Sequence, residues 1–116
     1  MAGMFENCSN LKEIRGINRF ITKKVEDMHL MFHKCSELES LDLSNFDTSN
    51  VTRMDYMFSE CYKLKNIVEL NKLNTKKVTD MTAMFQLCYE LRSLDLSNFD
   101  TANVTKFGHI FSFTIN

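Results

Sequence analysis

The sequence predicts an α/β repeat solenoid, with short parallel strands on one face and short helices on the other. Three observations carry this expectation. Met-Phe recurs at 4–5, 31–32, 57–58 and 84–85, and Ile110-Phe111 continues the series. The cysteines Cys8, Cys35, Cys61 and Cys88 keep the same 26–27-residue beat. So do the columns Leu11, Leu38, Leu64, Leu91 and Val25, Val51, Val78, Val104. A fixed period in the twenties is the mark of stacked repeats, each unable to bury its apolar face alone. One domain is expected over 1–116, with copies at 4–30, 31–56, 57–83 and 84–109 and a partial fifth at 110–116.

Each element follows from its local pattern. Leu38 to Leu43 ends in an apolar alternation that suits a short strand. Its equivalents are Leu11 to Ile17, Leu64 to Leu70 and Leu91 to Leu96. Val51, Met54, Met57, Phe58 and Cys61 fall at spacings of three and four, predicting about two turns of helix. Thr52, Thr79 and Thr105 precede that segment as hydroxyl caps, and Asp55 and Asp80 would favour its positive end. Between strand and helix, Ser44 to Asn50 offers Asx and Ser/Thr turn chemistry around Phe46. Copies one and three share Thr-Lys-Lys-Val and carry one extra residue, whereas copies two and four share Leu-Asp-Leu-Ser-Asn-Phe-Asp-Thr. A two-copy cassette accounts for that alternation.

Composition narrows the function class. The 116 residues carry 14 basic and 15 acidic side chains, a balance that argues against a dedicated nucleic-acid binder. No apolar run approaches the roughly 18 residues of a membrane span. Residues 1–4 show no signal-peptide pattern.

The motif Met-Phe-x-x-Cys-x-x-Leu-x-x-Leu-Asp-Leu-Ser-Asn-Phe-Asp-Thr-Ser-Asn-Val-Thr spans Met31 to Thr52 and recurs from Met84 to Thr105. It resembles the BspA-type leucine-rich repeat surface proteins, and more closely their variant in mycoplasma surface lipoproteins. The resemblance implies a right-handed leucine-rich-repeat coil, a place at the cell surface or outside the cell, and a role in adhesion or recognition. The chain departs from that pattern in having about four repeats and no leader, which suggests a fragment or a small stand-alone member.

The cysteines form no C-x-x-C pair, and their spacing tracks the repeat; they read as buried free thiols. His29, His33 and Cys35 are the nearest approach to a metal cluster, but no fourth ligand is evident, so no metal and no cofactor are expected. Asp42 and Asp95 lack a nearby base or nucleophile, and no catalytic motif is present, so the chain is expected not to be an enzyme. Lys23, Lys24, Arg53, Lys76, Lys77 and Lys106 gather before the predicted helix, as a basic edge or a rim balanced by Glu26, Asp27, Asp55 and Asp80. Asn50 and Asn103 match glycosylation sequons but read as turn residues bonding local backbone.

The expected function is non-enzymatic binding of a protein or glycan through the exposed sheet face. That face comprises Lys12, Glu13, Arg15, Glu39, Ser40, Asp42, Lys65, Asn66, Val68, Arg92, Ser93 and Asp95. The second reading is an intracellular, cytoplasmic protein–protein scaffold. Bare ends lined by apolar residues further predict a homodimer through the ends.

Overall fold

The computed structural model describes residues 1–114; Ile115 and Asn116, the end of the expected fifth copy, lie outside the described residues. It corrects the predicted architecture. The expected leucine-rich-repeat solenoid, with strands on one face and helices on the other, is not formed. The chain is a compact globule with extents of 32 × 31 × 22 Å. Its elements are β1 (Ser40–Asp42), β2 (Asn66–Val68) and two single 3₁₀ turns, Ile17–Arg19 and Leu70–Lys72. Among the described residues there is no α-helix. The sheet is one parallel pair, with Ser40 opposite Asn66, Leu41 opposite Ile67 and Asp42 opposite Val68.

The predicted helices fail for a backbone reason. Tyr56 and Glu60 hold φ near +60°, which an α-helix does not admit. The same two places are left-handed at Leu30 and Lys34, at Ala83 and Leu87, and at His109 and Phe113. They begin with Gly3 and Asn7. None of these residues is β-branched, the side-chain type that tolerates this region worst. His109, Leu30, Tyr56 and Ala83 share no side-chain chemistry; what they share is this conformation.

Backbone bonding explains why the strain is tolerated. Met54, Tyr56, Phe58 and Glu60 donate their N–H groups to the carbonyls of Asp80, Thr82, Met84 and Gln86. The alternate residues close four-residue turns: Met57 to Met54, Ser59 to Tyr56 and Cys61 to Phe58. Consecutive turns of this kind repeat an apolar side chain every three or four residues, the spacing that mimics a helix in the sequence. Thr52, Thr79 and Thr105 cap no helix. Thr52 donates both N–H and hydroxyl to Glu26, and Thr79 does the same to Thr52.

The apolar columns supply the core. Phe5, Phe32, Phe58, Phe85 and Phe111 stack with centroids 5.4–6.0 Å apart and rings within 9° of parallel. Around them Met28, Met31, Met54, Met57, Met81 and Met84 are buried. Each buried thiol has an acceptor: Cys35 donates to the Phe5 carbonyl, Cys61 to Phe32 and Cys88 to Phe58, at 3.0–3.1 Å. Thr114, which replaces cysteine in the next copy, donates its hydroxyl to the Phe85 carbonyl. All four cysteines are free. Burial pushes the Cys35 and Cys88 thiols up to about 12.

A second column is made of threonine hydroxyls. Thr22, Thr48 and Thr75 are buried, and each hydroxyl bonds both ways to one residue of the following copy. Thr48 donates to the Asn74 carbonyl at 2.9 Å and accepts from the Asn74 N–H at 2.8 Å. Thr22 pairs in the same manner with Asp47, and Thr75 with Asp100. Two backbone groups are thereby satisfied by one side chain. The extra residues of copies one and three, Gly16 and Glu69, take positive φ and lead into the 3₁₀ turns.

Among the described residues both ends remain open. Met4 and Leu11 are exposed toward the N-terminus, and Phe107, Phe111 and Phe113 toward the C-terminus. Up to Thr114 the C-terminal segment does not fold back over the open end. It continues the turns, with Ser112 bonded to His109 and Thr114 to Phe111.

Candidate functional site

β1 and β2 each turn one side chain inward, Leu41 and Ile67, and place the flanking residues outside. Of the twelve candidate face residues, eleven are exposed and Asp42 is half-buried. Only Ser40, Asp42, Asn66 and Val68 lie on strands. Glu39 donates its N–H to the Lys12 carbonyl and Lys65 to Glu39, which brings those three together. Lys12 to Arg15 and Arg92 to Asp95 form no strand, a correction to the expected continuous sheet face.

Much of the charge on this face is paired within it. Lys65 lies 3.4 Å from Glu39 and 3.9 Å from Glu90, and Lys63 lies 2.8 Å from Glu37. Arg15 pairs with Glu13 at 2.7 Å. Exposed pairs of this kind add at most about 1 kcal/mol each to stability, so their arrangement matters more as surface texture. Beside them Tyr62 and Tyr89 stack at 5.5 Å, and the Tyr62 hydroxyl donates to Glu60.

The sheet stops at β2. Among the described residues no backbone hydrogen bond joins 92–97 to β2. The gap is a groove of about 220 Å³ lined by Asn66, Ile67, Glu69, Leu70, Asn71, Ser93, Leu94 and Asp95. Asn71 spans it, donating its amide to Asp95 at 3.2 Å. The Ser97 hydroxyl, its N–H and the Asn71 amide together hold the Asp95 carboxyl below the usual carboxylate range. Asp42 is lowered in the same way by Ser44, with Asn18 donating at 3.2 Å. Both carboxylates are therefore ionised acceptors at neutral pH. Of the groove residues, Asn66, Ser93 and Asp95 belong to the predicted face. Glu69, Leu70 and Asn71 do not; the extra residue of copy three was their only signal.

The other candidates resolve separately. The His29 ring bonds Asp27 at 2.6 Å, while Cys35 is committed to the Phe5 carbonyl. The buried Nδ1 of His33 has no protein partner. No group of three or more His, Cys, Asp or Glu among the described residues could hold a metal ion. Arg53 leaves the basic edge: it grips the buried Asp55 through two bonds of 2.8 and 3.0 Å and faces Asp27 at 3.8 Å. The sequon amides bond distant rather than local backbone, Asn50 to the Lys23 carbonyl and Asn103 to that of Lys76. No described helix is long and apolar enough to cross a membrane.

Comparison with known proteins adds one finding. No curated protein and no solved structure matches the chain. A family model described as DUF285, mycoplasma protein of unknown function, matches residues 1–116. The chain therefore belongs to the DUF285 family of mycoplasma proteins.

Proposed function

We propose that the chain is a non-enzymatic binding module that recognises a glycan or the polar surface of a protein. The groove between β2 and residues 93–95 is its anchoring point. The groove carries this reading: amides at Asn66 and Asn71, a hydroxyl at Ser93 and carboxylates at Glu69 and Asp95 converge on one opening. Fixed amide and carboxylate groups of this kind orient hydroxyl-rich or peptide ligands. The motif likeness to BspA-type surface proteins supports placing the module at the cell surface, in adhesion or recognition.

Binding to a panel of glycans and host matrix proteins tests the reading. The parent chain should retain at least one ligand, and Asn71→Ala with Asp95→Ala should weaken it at least tenfold. Equal retention by the double variant would remove the groove from the site. Retention of none of the panel would sink the surface-recognition reading.

A further inference from the structure

A different surface carries a further inference, independent of the groove. Copies one and three bring Lys23, Lys24, Lys76 and Lys77 to the surface, and all four are exposed. They share one patch. Asn50 donates its amide to the Lys23 carbonyl at 2.8 Å and accepts from the Lys77 ammonium at 2.9 Å. The two lysine pairs thus flank a single intervening strand of chain, two strand spacings or roughly 10 Å apart. Among the described residues none of the four makes an ion pair. Two exposed acids border the patch: Asp47, whose carboxylate accepts from the N–H and hydroxyl of Ser49 and stays charged near Lys23, and Asp100, which accepts from the Ala102 N–H; among the described residues neither comes within ion-pair distance of a lysine. Within this basic patch Ile21 stands 94% exposed, beside Lys23 and the exposed Arg19.

We infer that this patch docks the protein on an anionic lipid surface, with Lys23, Lys24, Lys76 and Lys77 over the headgroups and Ile21 inserted among them. Unpaired lysines give electrostatic attraction to anionic lipids, and a protruding aliphatic side chain adds apolar burial. A nucleic acid or acidic polysaccharide would use the lysines but has no place for Ile21.

Flotation of the full chain with vesicles tests the inference. Phosphatidylcholine vesicles containing about one third phosphatidylserine should carry the protein at low salt, and pure phosphatidylcholine vesicles should not. Raising salt to about 0.5 M should release most of it. Reversing all four lysines to Glu should abolish co-flotation, while Ile21→Ser should reduce it roughly tenfold. The parent melting temperature in both variants would show that the fold is intact. Absence of binding to anionic vesicles, or equal binding to both vesicle types, overturns the inference. So does an Ile21→Ser variant that binds like the parent, since the patch would then be a polyanion surface.

Discussion

Residues 40–48 and 93–101 have the same sequence, Ser-Leu-Asp-Leu-Ser-Asn-Phe-Asp-Thr, and different structures. In the first, Ser40–Asp42 is β1, and Leu41, Leu43, Phe46 and Thr48 are all buried. In the second there is no strand; Leu94, Leu96 and Phe99 are half-buried and Thr101 is exposed. The turn chemistry survives in both, since Asp42 accepts from the Ser44 N–H and Asp95 from that of Ser97. Phe46 closes a turn onto Leu43, and Phe99 onto Leu96. What differs is neighbours. The first peptide is flanked on both sides by other copies, through bonds such as the Asn45 amide to the Asn18 carbonyl and the Leu43 N–H to the Val68 carbonyl. Among the described residues, the second has copy three on one side and no copy on the other. Turns are therefore local, whereas strand and burial are tertiary.

The largest effect should come from the phenylalanine stack. Phe58 is fully buried between Phe32 and Phe85, so Phe58→Ala should destabilise by about 3–5 kcal/mol in urea unfolding. Phe111→Ala, at the exposed end of the stack, should remain below about 1.5 kcal/mol. Equal losses would break the comparison.

The twin peptides give the next contrast. Leu41→Ala should cost about 2–5 kcal/mol, and Leu94→Ala about 1 kcal/mol, because only the first leaves a closed cavity. If both lose the same amount, the second peptide is packed as tightly as the first.

The hydroxyl column sharpens the contrast further. Thr48→Val keeps the shape but leaves the N–H and carbonyl of Asn74 without their partner, at about 1–3 kcal/mol. Thr101→Val should change stability by less than about 0.5 kcal/mol. A Thr48→Val variant as stable as the parent would deny the column its role.

The smallest effect at neutral pH concerns the thiols. The Cys88 thiol, held near 12 in the fold, stands above its ordinary value of 9.0. The stability linked to keeping it neutral is complete below pH 9 and is lost as pH rises toward 12. The urea midpoint should hold steady from pH 7 to 9 and fall above it, and Cys88→Ala should blunt that fall. At pH 8 half-buried Cys8 should react with a thiol reagent well before Cys35, Cys61 and Cys88. Simultaneous labelling of all four in the native state would contradict the burial.

The period, the buried thiols and the turns were legible in the sequence, because each depends on residue type at a fixed spacing; the candidate face was legible as exposed residues but not in its backbone, since only part of it is strand. The groove was legible only in part. Asn66, Ser93 and Asp95 follow the strand pattern, but Glu69 and Asn71 enter through a one-residue insertion whose geometry no pattern announces. The helix expectation failed at Val51 to Cys61, where spacing alone cannot tell a helix from linked turns.

The sequence by itself determined which side chains are apolar partners: Phe5, Phe32, Phe58, Phe85 and Phe111 occupy one column by spacing and meet in one stack. Only the tertiary structure decided the backbone between them. Tyr56 and Glu60 could take left-handed φ because Asp80, Thr82, Met84 and Gln86 supply acceptors from the next copy. A lone segment has no such acceptors, and its N–H groups would turn to water. The same dependence on neighbours let one nine-residue sequence become a buried strand in one place and an open groove wall in another.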